Sequence, residues 1–311
     1  MPDTLVKPAR FLAETAGYLL NRRSRDRADR ETLEEFRWSP GALPAGMTLR
    51  WLGTAGFELA YLGHTVLIDP YLSRIPLRQV IGRRAVRARE DVLDQWVRSA
   101  DAILVGHTHF DHALDVPAIA RRTGAKVYGS ESLRTLLGLY RLADQAVVAT
   151  PYRSFQSGPF TITFVPSLHS KLSLGLRVPS AGEITCEHLD DLMPRAYRCS
   201  QTWGIHIAVD GFSLYHQGSA EIDDEAVRHR GVDVFLCGIA GRQVSDRFVD
   251  RALRLLEPRL VVPTHYDDFL RPLDAPPGFT VDVDVTGFVK EVHAVSPDFD
   301  IRTVEPGERL S

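Results

Sequence analysis

The feature that most constrains this chain is a run of metal-binding residue types in "LVGHTHFDHALD", residues 104–115. The run consists of His107, His109, Asp111 and His112. It comes directly after the apolar segment "AILV", which is typical of a buried strand. Alternate residues of an extended segment face the same way, so His107 and His109 can point towards one spot. Asp111 and His112 come where the chain turns into a helix, which directs them to a second spot nearby. The pattern therefore predicts a strand that ends at a metal site.

The residue types in this motif suit zinc, iron or manganese, which bind imidazole nitrogens and carboxylate oxygens. A single HxH pair would be weak support, because a histidine is often only a polar residue with ordinary hydrogen bonds. The alternative is that Asp111 caps the following helix and that the histidines lie at the surface. The number of ligand types at one strand-to-helix corner favours the metal site.

Residues 47–311 alternate between strand-like and helix-like segments. The runs "MTLRWLG", "GFELAYLG" and "HTVLIDP" are separated by glycine or turn signals, and they predict a β-meander. Helices and strands follow as far as "RLVVPTH" and "DFDIRTVEPGE", and the predicted helices include "ITCEHLDDLM" and "DDEAVRHR". This order favours mixed sheets that are covered by helices on their outer faces.

Residues 1–46 are predicted to form a helical extension ahead of this domain. Apolar side chains at helical spacing mark one face of its first half: Leu5, Ala9, Leu12, Ala16, Leu19 and Leu20. The favoured interpretation is a helix that packs on the main body. The alternative is an interfacial helix that touches anionic lipid in a peripheral membrane contact, since arginines flank the apolar face.

The sequence from 47 to 307 resembles the metallo-β-lactamase-fold superfamily, in which "HTHFDH" is the hallmark and later ligands follow strands in a fixed order. The segment "FVPSLHS" places His169 at the next expected position, and "RLVVPTHYDDF" places His265 at the last. The resemblance implies an α/β fold, a four-layer αββα sandwich over residues 47–311.

The same resemblance implies two groups of metal ligands. The first group is His107, His109 and His169. The second group is Asp111, His112 and His265. Asp69, at the end of "VLID", matches a position that usually orients a ligand histidine. One or two divalent ions are expected, with zinc first and manganese or iron as alternatives.

The sequence departs from this family in "SLYHQGSAEID". The family usually has an aspartate after the glycine, where it bridges two metals, but here Ser219 follows Gly218. A neutral hydroxyl cannot supply the charge of a carboxylate, so a metal pair would carry one more net positive charge. Three outcomes are open. The second site is weak or empty, a hydroxide or an anionic substrate forms the bridge, or Glu221 or His216 reaches in.

An arginine-rich segment suggests the charge of the substrate. Six arginines lie between residues 74 and 89, directly after the strand that ends at Asp69. Guanidinium groups match phosphate and carboxylate geometry, so Arg83 and Arg84 are predicted contacts for an anionic substrate. The alternative is a solvated arginine-rich loop or a surface that binds a partner.

A long connection after His169, residues 170–202, is the second region expected near the site. Long loops beside a metal site are typical of a substrate wall or lid. His188 and Tyr197 in this connection are candidate proton donors to a leaving group. The alternative is that both are ordinary loop or packing residues.

Within the superfamily, "GFELAYLGHTVLIDPYLSR" and the position of His265 look most like one branch. It contains L-ascorbate-6-phosphate lactonase-like hydrolases and N-acylphosphatidylethanolamine phospholipase D-like phosphodiesterases. The resemblance implies a metal-dependent hydrolase of an ester, lactone or phosphodiester. Asp111 and His265 are its predicted catalytic residues, and Asp111 could steer water or accept its proton. The alternatives are an iron-dependent redox enzyme on the same fold and a non-catalytic binding member, which only Ser219 supports.

Composition narrows the class of partner and the compartment. The net charge is −3, so nothing points to nucleic acid. Because of the arginine-rich segment, a small anionic molecule is the expected partner. Three cysteines without CxxC spacing argue against a disulfide framework and favour a reducing cytoplasm.

No apolar run approaches the ~20 residues of a spanning helix. The N-terminal segment lacks the cleavage site of a signal peptide. Nothing in the sequence indicates the oligomeric state.

Overall fold

The structure, a computed structural model, describes the backbone of residues 3–39, 41–172 and 175–311 and the side chains from residue 16 onward. Two seven-stranded sheets make up its centre. The strands of the first sheet are β1 (Thr48–Gly53), β2 (Gly56–Tyr61), β3 (His64–Ile68), β4 (Ala102–Leu104), β5 (Lys126–Gly129), β6 (Ala146–Val148) and β14 (Arg309–Leu310). The strands of the second sheet are β7 (Phe155–Ser157), β8 (Phe160–Ser167), β9 (Thr202–Val209), β10 (Phe212–Gln217), β11 (Val234–Gly238), β12 (Leu260–Thr264) and β13 (Asp300–Ile301).

Both sheets are mixed. In the first, β1, β2 and β3 form the predicted antiparallel meander, and β3, β4, β5 and β6 then run parallel. In the second, β7 to β10 are antiparallel, and β10 to β13 are parallel. The parallel strands of each sheet bring their carboxyl ends to one edge, which is where the motif residues follow the strands.

The helices lie outside the two sheets. They are α1 (Asp3–Glu35), α2 (Leu77–Val80), α3 (Glu90–Trp96), α4 (Phe110–Ala113), α5 (Val116–Thr123), α6 (Glu131–Leu139), α7 (Phe248–Leu256) and α8 (Val285–Val295). Apolar residues of α3, α5 and α6 pack in one core cluster with residues of the first sheet such as Leu67 and Ile103. Neighbouring residues of β3 point the other way, and Val66 and Ile68 join the cluster that includes both sheets, α7 and α8. The predicted four-layer αββα fold is confirmed.

The N-terminal extension is a helix, as predicted, and it contacts α8 through its second half. Leu19 and Leu20 are exposed, whereas Tyr18 is buried. The other members of the predicted apolar face before residue 16 lie outside the described side chains. Within the ranges given above, no helix combines the length and the apolar character needed to cross a membrane.

Two predicted helices are wrong. The segment "ITCEHLDDLM" contains only a 3₁₀ turn, Leu189–Asp191. The segment "DDEAVRHR" is a turn, in which the side chain of Asp223 accepts a hydrogen bond from Glu225 N. Such local side-chain bonds offer the backbone an alternative to the helix. Arg251 of α7 also forms ion pairs with the carboxylates of Glu221 and Asp224.

Helix α8 was not predicted. Its sequence, "VTGFVKEVHAV", contains a glycine and four valines, which disfavour a helix by propensity. Tertiary packing outweighs this preference, because Val285, Phe288, Val289 and Val292 share a buried face at helical spacing. Asp284 caps the helix by accepting a hydrogen bond from Gly287 N.

Candidate metal centre

The first group of predicted ligands converges at the ends of two strands. His107 and His109 follow β4 in the first sheet, and His169 follows β8 in the second. One ring nitrogen from each of the three lies within 4.8 Å of the others. The ring centroids are 4.8 Å apart for His107 and His109 and 4.7 Å apart for His109 and His169, with nearly perpendicular planes. Three imidazoles therefore face one point.

Outward hydrogen bonds determine which nitrogen of each ring faces that point. His109 Nε2 donates to the carbonyl of Pro179 at 2.8 Å, which leaves Nδ1 for the centre. His169 Nδ1 donates to the carbonyl of Ser170 at 2.8 Å, which leaves Nε2. Both ring nitrogens of His107 are buried and have no hydrogen-bond partner in the described part of the chain. An unsatisfied buried polar atom costs about 1–3 kcal/mol. A cation at this point would satisfy the imidazoles, so the residues fit a metal ion.

The second group is Asp111, His112 and His265, whose ligand atoms also lie within 4.8 Å of one another. Asp111 Oδ2 is 3.3 Å from His265 Nε2 and 3.9 Å from His112 Nε2. His265 follows β12 with a φ of 58°, a left-handed conformation that is uncommon for a non-glycine residue. Its backbone N donates to Thr54 O at 2.8 Å, which holds this conformation.

The two groups are neighbours. The ring centroids of His107, from the first group, and His112, from the second, are only 3.8 Å apart. The structure thus brings together all six residues that the sequence analysis named as ligands, in the two predicted sets. Two adjacent metal positions are geometrically available.

Asp69 lies directly behind the second group and is completely buried. Its Oδ2 accepts hydrogen bonds from His112 Nδ1 at 2.9 Å and from His216 Nε2 at 3.1 Å, and its Oδ1 accepts one from Gly106 N at 2.6 Å. The contact with His112 directs the Nε2 of that ring towards Asp111. The structure therefore gives Asp69 the orienting contact that the sequence predicts. It also places His216 on the same carboxylate, away from the ligand groups.

Most of these groups are in the form that binds a cation. His112 differs, because its burial is outweighed by Asp69 and Asp111, which raise its pKa. Burial, with neighbouring histidines adding to it, lowers the pKa of His107 far below the ordinary value and that of His169 to about 3. Burial opposes ionisation of Asp111, but His112 and His265 outweigh it and hold the pKa of Asp111 well below its usual range. Burial likewise opposes ionisation of Asp69, yet His112 and His216 bring its pKa to about 2. Neutral imidazoles and ionised carboxylates are the forms that bind metals.

Ser219 occupies the position where a bridging carboxylate was expected. Its hydroxyl accepts a hydrogen bond from Ser170 N at 3.2 Å, next to His169. Glu221 does not reach in, because its carboxylate pairs with Arg251 and accepts from Ile222 N. In the ranges that the structure describes, Asp111 is thus the only carboxylate in either ligand group.

A cavity of about 500 Å³ opens over the two groups. Its walls are largely apolar and include Phe110, Leu172, Val244, Phe269 and Val281. The connection 170–202 contributes several lining residues, as predicted for a substrate wall.

The predicted substrate residues separate into two sets. Tyr197 lines the cavity and is buried. His188, Arg83 and Arg84 are exposed and are not among the lining residues. The expectation that Arg83 and Arg84 face the cleft does not match this placement, because the chain turns towards solvent only after Val80, at the exposed Ile81.

Arg195 is a lining residue that the sequence analysis missed. It lies in the 3₁₀ turn Pro194–Ala196 and is the only arginine or lysine among the described residues that line the cavity. Its side chain forms no ion pair within the described ranges. The sequence predicts that this segment forms a wall of the site, but nothing in the sequence distinguishes Arg195 from the many other arginines.

Comparisons with known proteins agree with this geometry. A family model described as "Beta-lactamase superfamily domain" matches residues 48–265. A UPF0173 metal-dependent hydrolase from Anaeromyxobacter dehalogenans (strain 2CP-C) is 30% identical over 241 residues, which cover 74% of this chain and 78% of that protein. Among solved structures, Igni18, a metallo hydrolase from Ignicoccus hospitalis, matches with a TM-score of 0.55 at 20% identity over 85% of this chain and 97% of that one. CmlA, a diiron β-hydroxylase from Streptomyces venezuelae, matches with a TM-score of 0.54 at 16% identity over 86% of this chain and 54% of that one.

The fold, the two ligand groups and the family match define a member of the metallo-β-lactamase superfamily. Within that superfamily the chain belongs to the family of UPF0173 metal-dependent hydrolases. It is therefore a metal-dependent hydrolase. The lactonase-like or phospholipase D-like branch that the sequence suggested is not confirmed by these matches.

Asp69→Asn tests the orienting contact. The amide keeps the size of the side chain but loses the charge and one acceptor, so His112 is no longer held. We expect the affinity for zinc to fall roughly 10- to 100-fold, as is usual when such a partner of a ligand histidine is removed. Competition with a chromophoric chelator measures this affinity. Asp91→Asn, an exposed carboxylate paired with Arg89, is the matched control. An Asp69→Asn variant that folds normally and binds zinc as tightly as the wild type would contradict the assignment.

Proposed function

We propose that the protein hydrolyses a small anionic ester, lactone or phosphodiester at a pair of divalent ions, one in each ligand group. The observation that carries this proposal is the adjacency of the two groups at the floor of a cavity. Divalent ions held there would supply Lewis-acid chemistry, which acidifies water and polarises a carbonyl or phosphoryl oxygen. Zinc suits a set of five imidazoles and one carboxylate, and manganese and iron are the alternatives.

Asp111 is proposed to orient the attacking water. Its ionised carboxylate is only partly buried, at 13% side-chain exposure, and it faces the cavity. A carboxylate at this position can orient an attacking water by accepting a hydrogen bond from it. His265, at 3.3 Å from Asp111, keeps that carboxylate in place and is the second proposed catalytic residue.

Ser219 supports an anionic substrate. Because this position provides a hydroxyl in place of a carboxylate, two divalent ions beside it would lack one negative charge that a bridging aspartate supplies. A phosphate or carboxylate group of the substrate would compensate for that charge. The hydroxyl of Ser219 accepts a hydrogen bond from Ser170 N. It takes the place of the bridging carboxylate but adds no negative charge.

Arg195 supports the same substrate class from the other end of the site. It is an exposed cation that lines an otherwise largely apolar cavity, and its guanidinium has no ion-pair partner in the described part of the chain. A guanidinium binds phosphate or carboxylate through paired hydrogen bonds. We therefore infer that Arg195, in place of Arg83 and Arg84, contacts the anionic group.

A panel of three chromogenic or fluorogenic probes tests the hydrolase: bis(4-nitrophenyl) phosphate, 4-nitrophenyl acetate and dihydrocoumarin. We expect turnover of at least one probe, complete loss after chelation, and recovery on adding zinc. His109→Ala should lower kcat/KM by about 10³-fold, because it removes one imidazole of the first group. His293→Ala, a histidine of α8 outside the cavity lining, should leave kcat/KM unchanged.

Two other outcomes of this panel would overturn the proposal. Iron in the purified protein, with oxygen consumption and no hydrolysis, would indicate a redox enzyme, an alternative that the fold shared with a diiron β-hydroxylase keeps open. Full metal loading with no turnover of any probe would favour a non-catalytic binding protein, as Ser219 alone would suggest.

Arg195→Ala tests the anion contact. We expect KM for bis(4-nitrophenyl) phosphate to rise roughly 3- to 5-fold, about the value of one partly exposed ion pair. KM for the neutral 4-nitrophenyl acetate should stay the same. The matched variant is the double substitution Arg83→Ala and Arg84→Ala, which removes two exposed guanidinium groups outside the cavity. If that double variant alone raises KM for the diester, the anionic group binds at the arginine-rich segment and the assignment to Arg195 is wrong.

A further inference from the structure

One wall of the cavity is formed by the end of the connection between β12 and α8. Thr280, Val281 and Asp282 of this segment line the cavity. Asp282 has a φ of 60° and Asp284 a φ of 51°, which place two non-glycine residues in the left-handed region within three positions. Such conformations persist only where surrounding contacts determine them. The contacts that hold this segment therefore shape the cavity.

One set of contacts comes from the body of the protein. Arg242, itself buried, donates to the carbonyls of Val283 and Asp284. Gln243 donates to the carbonyl of Asp282, and Thr280 N donates to Tyr266 O at 2.9 Å, next to His265. These bonds fix the side of the segment that faces the ligand groups.

A second set comes from helix α1. Arg25 Nη1 is 3.1 Å from Asp282 Oδ1. Asp29 Oδ1 accepts hydrogen bonds from Thr286 N at 2.8 Å and from Thr286 Oγ1 at 3.0 Å, and Thr32 Oγ1 is 2.9 Å from the same hydroxyl. Asp29 is 2% exposed, so this is a buried carboxylate facing the first turn of α8. A carboxylate is stabilising there, because it satisfies a free N–H and lies at the positive end of the helix dipole.

We propose that helix α1 is a positioning element for the substrate: through Arg25 and Asp29 it holds the wall segment 280–286 in the shape that binds substrate. Neither Arg25 nor Asp29 lines the cavity, and neither belongs to a ligand group. The extension therefore acts on substrate affinity through the wall and leaves the metal groups unchanged. The effect on affinity rests on the proposed hydrolase function, whereas the effect on the wall does not.

Arg25→Ala is the main test, because Arg25 is partly exposed and its removal spares the core. Arg25→Lys keeps the charge and serves as the rescue. Arg22→Ala is the matched control, since among the described side chains Arg22 pairs only with Asp26, one turn further along the same helix. Four quantities are measured for each variant: amide hydrogen exchange of residues 279–287, zinc content, and KM and kcat for the probe of the panel that the wild type hydrolyses fastest.

In Arg25→Ala we expect faster exchange in 279–287 and a KM raised roughly 3-fold, the scale of one partly exposed ion pair. The turnover number and the zinc content should stay the same, the lysine variant should restore most of the affinity, and Arg22→Ala should match the wild type. Asp29→Ala removes buried contacts and should show the larger change in exchange. If it fails to fold, the Arg25 variants still decide the question.

Unchanged exchange in Arg25→Ala would overturn the proposal, and so would a loss of zinc or a fall in kcat with KM unchanged. If the wild type hydrolyses none of the three probes, the proposed hydrolysis fails at that point. The exchange measurement then decides separately whether α1 holds the wall.

Discussion

The site depends on one buried carboxylate that joins the two sheets. Asp69 directly follows β3 of the first sheet, and its Oδ2 accepts a hydrogen bond at 3.1 Å from His216, which lies in β10 of the second. The same oxygen orients His112, and Gly106 N binds the other oxygen. A buried charge costs several kcal/mol unless it is paired and hydrogen-bonded, so these three donors are required for the fold as well as for the site. The same carboxylate therefore contributes both to the packing of the two sheets and to the orientation of His112.

The ligand groups are assembled from strands that are far apart in the chain. His107 and His169 come from different sheets, yet their ring centroids lie 4.8 Å apart. Bringing neutral imidazoles this close buries polar nitrogens that have no partner in the described part of the protein, as His107 shows. A fold that served packing alone would place apolar side chains there. Cations bound by these nitrogens would account for the arrangement, and Ser219 alters the charge of the site without disturbing the convergence.

The metal groups could be predicted because each follows a strand whose apolar run is visible in the sequence. Two facts were enough to predict these ligands: side chains at the ends of parallel strands meet at one edge, and the family's ligands follow its strands in a fixed order. They identify the motif His107–His112, then His169 and His265. Arg195 and α8 could not be predicted in this way. Arg195 is one of many arginines, and only the folded connection shows that it borders the cavity. Helix α8 has a valine-rich sequence that propensity opposes, and packing on the second sheet decides its conformation. The exposed positions of Arg83 and Arg84 could not be predicted for the same reason, since charge along the chain does not reveal which side of a loop faces inwards.

The most direct test of this account is the number of metal ions per chain, measured by elemental analysis after loading with zinc and removal of unbound metal. His169→Ala and His265→Ala, one from each ligand group, are measured beside the wild type. The account predicts about two ions in the wild type and about one in each variant, because each group holds its own ion. A single ion in the wild type that survives His265→Ala would mean that the second group does not hold metal. No zinc in the wild type would contradict the account as a whole.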